Sequence, residues 1–172
     1  MKKLTTILIA FSMIMLFAGS TVFAQGSATA STTAKIVGAC SVSEVTNLNF
    51  GNIVSGGIGA PDSIKLNPHT QLRTVLVGNA VLAGGTVTAA KFQASGDAGL
   101  NYNVTFTLTN FNIFAGGLFM KVYNFTTYSA SGYTLTGGTD NFFVGATLDV
   151  AAQQGSGTYT DGSSLDVTVN YQ

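Results

Sequence analysis

Residues 163–172 read SSLDVTVNYQ, and the alternation inside this stretch decides the fold. Leu165, Val167, Val169 and Tyr171 share one side of an extended chain while Asp166, Thr168 and Asn170 share the other, because successive side chains of a strand point to opposite faces. A strand that buries one face and wets the other belongs to an antiparallel sheet. The same period runs upstream. In NYNVTFTL (101–108) Tyr102, Val104, Phe106 and Leu108 form the apolar side, and in FVGATLDV (143–150) Val144, Ala146, Leu148 and Val150 point inward.

Less regular strands are expected near 30–39, 46–53, 62–67, 71–77, 86–95 and 117–128, with no amphipathic helix between them. Gly-rich breaks separate them: SGGIGAP at 55–61, AGG at 83–85, SGDAG at 95–99 and TGG at 136–138. About nine short strands with such breaks predict an all-β fold, an antiparallel immunoglobulin-like β-sandwich of about eight to nine strands. An eight-stranded outer-membrane barrel would need strands of about 9–11 residues and two aromatic girdles. Most strands here are shorter, and the aromatic residues gather at 102–128 and 142–143.

The first 25 residues, MKKLTTILIAFSMIMLFAGSTVFAQ, join a basic head at Lys2 and Lys3 to an apolar run over 4–18 and to Val22-Phe23-Ala24, with small residues where signal peptidase cuts. This reads as a cleaved signal peptide over 1–24, leaving a single domain over 25–172. The expected location is exported: periplasmic, cell-surface or extracellular. Once processed, the chain is not expected to be an integral membrane protein. A lipid-attachment reading of Cys40, after IVGA, is weaker, because the polar stretch QGSATASTTAK separates that cysteine from the apolar run.

After Ala24 the basic residues are Lys35, Lys65, Arg73, Lys91 and Lys121, against Glu44 and six aspartates, a net charge of −2. Nucleic acid is therefore not an expected partner. Solubility rests on Thr, Ser, Asn, Gln and Gly, and although Trp is absent, the 12 Phe and 6 Tyr of the whole chain can still furnish a core. Cys40 is the one cysteine, so no internal disulfide forms, and a buried structural thiol is its expected role.

No catalytic constellation emerges, and no enzyme is expected. His69, in the turn NPHT, is the one histidine, and a Cys40–His69 dyad would rest on nothing but the presence of both residues. One His and one Cys make no zinc site, and Asp161 and Asp166 in DGSSLD lack the alternating acids of a calcium loop. Asp161-Gly162 reads as a turn. GGIGA and GSG lack the following helix that a phosphate loop needs. Asn103 and Asn124 head formal glycosylation sequons. No cofactor-binding, catalytic or metal-binding residue is assigned.

TNLNFGNIVSGG (46–57), GGTVTAAKFQASGDAGLNYNVTF (84–106) and FFVGATLDVAAQQGSGTYTDGSSLDVTVNYQ (142–172) together resemble the bacterial secreted domain of unknown function 4402. The resemblance implies an exported β-sandwich and no activity. AKIVGACSVSEVTNLNFG (34–51), with Cys40 ahead of an L-x-F-G turn, and the second-last aromatic Tyr171 are more loosely similar to pilin-like subunits of chaperone-usher systems, including the spore-coat-U type. Those subunits usually pair the first cysteine with another, which this chain lacks, and their donor segments carry large apolar residues where this one has Ala28, Ala30, Thr32, Ala34 and Ile36.

The functional expectation is a non-enzymatic structural or adhesive protein. Its partners would be copies of itself or other surface subunits, joined by strand pairing. The alternative is a monomeric sandwich that binds carbohydrate or protein through its loops, with FNIFAGGLFMKVYNFTTY (111–128) as the surface if Phe111, Phe114 or Tyr128 is exposed.

Overall fold

A computed structural model describes residues 26–161 and 165–172; residues 1–25, with the expected signal peptide, and residues 162–164 lie outside the described residues. Residues 36–172 form one compact unit. The strands are β1 (Ser41–Thr46), β2 (Ile53–Val54), β3 (Asp62–Leu66), β4 (Arg73–Val77), β5 (Val81–Leu82), β6 (Ala90–Ser95), β7 (Tyr102–Phe106), β8 (Asn110–Ala115), β9 (Leu118–Ser129), β10 (Thr139–Val150) and β11 (Val167–Tyr171). The fold is an all-β sandwich in which every ladder is antiparallel.

β10 is the spine of a seven-stranded sheet. One edge pairs with β9, which pairs in turn with β8. The other edge is shared: Thr139–Val144 pairs with β6 and Thr147–Val150 with β3, and β1 and β4 lie outside those. The even-numbered residues of β10 all face the core. Phe142 and Val144 join Ala90, Phe92 and Ala94 of β6 in a cluster closed from the other side by Tyr102 of β7 and Val167 and Val169 of β11. Ala146, Leu148 and Val150 join Ile64, Leu66 and Val122 in a second cluster, against which Ile53 of β2 and Leu82 of β5 pack. The two-stranded pairs β7–β11 and β2–β5 thus form the second layer.

Local chemistry sets the turns. β8 and β9 meet through Gly116-Gly117, and Gly116 at φ 57° leads the turn, the pattern of a type II′ hairpin. Asp62, 1% exposed at the start of β3, accepts backbone N–H bonds from Gly56 at 2.7 Å, Asn79 at 2.6 Å and Ala80 at 3.0 Å, and so fixes the connections on both sides.

Four expectations change. Residues 26–40 hold no strand and residues 26–39 are exposed, so the strand expected at 30–39 is absent and the first one begins at Ser41. Ala28, Ala30 and Ala34 offer too little apolar area to repay ordering the backbone. The stretch 46–53 is divided: Gly51 at φ 66° turns the chain between β1 and the two-residue β2. β8 is an additional strand, with Phe111 and Ile113 packed inward. Leu108 falls beyond the end of β7 and is exposed.

Candidate functional site

Among the described residues β11 has a single partner, β7. Thr107 N–H donates to the Asp166 carbonyl at 3.2 Å and Gln172 N–H to the Asn101 carbonyl at 3.1 Å, so the even-numbered backbone groups of β11 face β7. By the alternation of an antiparallel ladder, the N–H and C=O groups of Val167, Val169 and Tyr171 face the other way, where they meet no backbone partner among the described residues. β1 likewise pairs on one edge, with β6.

The two free edges lie beside each other without pairing. Cys40 and Val42 pack against the cluster that holds Val167 and Val169, so apolar side chains line the seam between the layers. Asp97 closes one end: its N–H donates to the Tyr171 hydroxyl at 2.8 Å, and its Oδ1 lies 3.4 Å from the N–H of Gly38. The outward backbone groups of β11 are those of a sheet edge, the kind of edge to which an extended chain can pair.

The residues singled out for chemistry are scattered. Cys40 is half-buried at the entrance to β1, and burial pushes its thiol pKa upward, away from the thiolate that a nucleophile needs. His69 sits on the opposite face of the sheet, in the loop 67–72, and stacks on Tyr128 with ring centroids 4.0 Å apart. The structure does not bring Cys40 and His69 together. Asn67 shapes that loop by accepting the N–H groups of His69 and Thr70 at 2.8 and 3.1 Å. Asp166 accepts the Thr107 hydroxyl at 2.9 Å. Among the described residues no three His, Cys, Asp or Glu side chains converge, and no helix is long and apolar enough to cross a membrane.

The aromatic stretch 111–128 divides by strand parity. Phe111 stacks on Phe125 at 5.7 Å and belongs to the core side, and Tyr128 is half-buried under His69. Phe114 is 54% exposed and lies 6.4 Å from Phe119, 56% exposed; with Leu118 they crown the β8–β9 hairpin. Leu118 and Phe119 were legible only through the Gly116-Gly117 turn, which places both flanking segments at one tip.

The family model for the domain of unknown function DUF4402 matches residues 40–171, and the chain belongs to that family. No curated protein and no solved structure matches it.

Proposed function

We propose that this family member is a non-enzymatic structural or adhesive protein, exported by its leader, that assembles with copies of itself or other surface subunits by strand addition. The observation that carries the reading is the outward edge of β11, unpaired among the described residues and lying beside the likewise unpaired edge of β1, with apolar side chains packed between the layers. An incoming extended segment would bond the outward backbone groups of Val167, Val169 and Tyr171. Residues 28–36 supply such a segment: they are exposed and hold no strand, and Ile36 is 96% exposed. The small alanines bury little apolar area, so the ladder bonds would provide most of the attraction.

Size exclusion and thermal melting of two truncations test the proposal. Removing residues 25–34 should leave a folded domain that no longer polymerises. Removing 165–172 should prevent folding, because Val167 and Val169 alone contribute about 3–6 kcal/mol of burial, a large share of the roughly 5–15 kcal/mol that holds a domain together. A full-length protein that runs as a stable monomer, with residues 26–39 protected from protease, would end the strand-addition reading.

The exposed Phe114 and Phe119 favour a second reading, a monomeric module that binds through its loops. In that case the first truncation would leave the oligomeric state unchanged, and Phe119→Ser would abolish binding.

A further inference from the structure

The face of the seven-stranded sheet turned away from the core carries a charge that the whole chain does not. Ile64, Leu66, Phe92 and Val122 are buried in the core, so their strand neighbours Lys65, Lys91 and Lys121 stand on the outer face. Three of the five basic side chains that follow the leader therefore share one surface. Of the acids on these strands, Asp62 is buried and Asp140 is bonded to Tyr102 and Ser129 on the core side. Asp149 is on the outer face, and its Oδ1 accepts both the Ser63 hydroxyl at 2.5 Å and the Tyr123 hydroxyl at 2.9 Å. A domain of net charge −2 thus presents a sheet face with an excess of positive charge.

The same face contains a cleft. Between the pairs Gly145–Thr126 and Thr147–Tyr123, the two residues Asn124 and Phe125 oppose Ala146 alone, and Asn124 adopts φ 51°. At this bulge lies a cavity of about 250 Å³ lined by Lys65, Leu76, Asn124, Phe125, Thr126 and Thr147. To one side the loop 67–72 folds over the sheet: Pro68 sits so close to Gly145 that a Cβ there would collide with it and with the Leu66 carbonyl oxygen. To the other side stands the Tyr123 ring, with the Lys121 ammonium 5.6 Å from its centroid.

We propose that this outer face binds an acidic polysaccharide, one uronic-acid unit entering the cleft with its carboxylate on Lys65 and the chain continuing across Tyr123 towards Lys121. A sugar ring presents hydroxyls at its rim and C–H groups on its faces. Asn124 and Thr126 match the first, and Leu76 and the Tyr123 ring match the second. The cavity is smaller than the roughly 300–1,000 Å³ that encloses a drug-sized ligand, so it takes one unit of a chain and leaves the rest on the sheet. A bare anion would leave the apolar lining unused. The proposal is independent of strand addition, because it concerns the face of the large sheet and not the seam.

Calorimetric titration of the exported protein with alginate oligomers, and with neutral dextran oligomers of equal length, tests it. Alginate should bind, more weakly as salt rises, and dextran should bind at least about tenfold more weakly. Lys65→Gln should weaken alginate binding about tenfold without moving the melting temperature. Asn124→Gly keeps the positive φ, removes the amide, and should also weaken it. Equal affinity for dextran, equal affinity for poly-glutamate, no saccharide binding, or full affinity in both variants would overturn the proposal. None of these outcomes depends on whether the protein polymerises.

Discussion

The Tyr171 hydroxyl accepts the backbone N–H of Asp97 at 2.8 Å, tying the C-terminal strand to the loop that follows β6. Gly96 makes the contact possible, since a Cβ there would fall on the phenol oxygen. Tyr171→Phe should cost about 0.5–1.5 kcal/mol, the usual net value of one hydrogen bond. Gly96→Ala should cost more in the wild type than in the Tyr171→Phe background, where the oxygen it strikes is gone. Urea unfolding of the two single variants and the double variant gives this coupling directly, and strict additivity would show that the two residues do not press on each other.

A second phenol sets an alkaline limit on stability. Tyr102 is fully buried, and its hydroxyl donates to Asp140 Oδ2 at 2.7 Å. Burial first, and then the hydrogen bond and negative charge of Asp140, push its pKa far above the ordinary 10.0. In the unfolded chain this tyrosine ionises near 10.0, whereas in the folded protein it stays neutral, so its contribution is fully present below pH 10 and declines as pH rises beyond it. Unfolding free energies measured between pH 8 and 11 should fall at the alkaline end. Tyr102→Phe should lower stability at neutral pH and flatten that fall; an unchanged slope would assign the loss to other groups.

How far the sequence could be read follows from what each strand buries. β10 and β11 were legible because Val144, Leu148, Val167 and Val169 alternate and are all buried. The two-residue pair β2–β5 was not, since two residues carry no period and the pairing is set by Arg73, whose guanidinium bonds the carbonyls of Phe50, Asn52 and Gly84. All four apolar residues of the last stretch face the core, but only Val167 and Val169 are fully buried, while Leu165 and Tyr171 pack against the cluster half-buried. The cleft was not legible at all: it depends on a bulge at Asn124, and no residue pattern in VYNFTT distinguishes a bulge from a regular strand. The seam could be anticipated only as an alternating C-terminal strand, since whether an edge is paired is a property of topology.

Separation of Cys40 from His69 makes a plain chemical prediction. With its pKa raised by burial, the thiol should alkylate slowly in the native protein at neutral pH and at the same rate in His69→Ala. Cys40→Ala should cost about 1–2 kcal/mol, and His69→Ala, which loses a ring stacked at the surface, about 0.5–1 kcal/mol. Alkylation that is fast and dependent on His69 would restore the dyad.

Asp62 is the position where one substitution should damage the domain most without touching a hydrophobic side chain. Its carboxylate serves three backbone donors from two different connections, Gly56 on one side and Asn79 and Ala80 on the other, in a site that water does not reach. Gly56 and Gly78 pack against it so closely that neither has room for a Cβ. Asp62→Ala leaves all three N–H groups without an acceptor, and each buried unsatisfied donor costs about 1–3 kcal/mol, so a loss of at least about 3 kcal/mol is expected. Asp62→Asn keeps one oxygen but turns an NH₂ towards a backbone donor, and should cost roughly 1.5–3 kcal/mol. Hydrogen exchange separates a local effect from a global one: the amides of Gly56, Asn79 and Ala80 should lose more protection in Asp62→Asn than those of β10 and β11. If both variants unfold within about 0.5 kcal/mol of the wild type, the range of ordinary surface substitutions, water must reach the site and the carboxylate is not the anchor of these two loops.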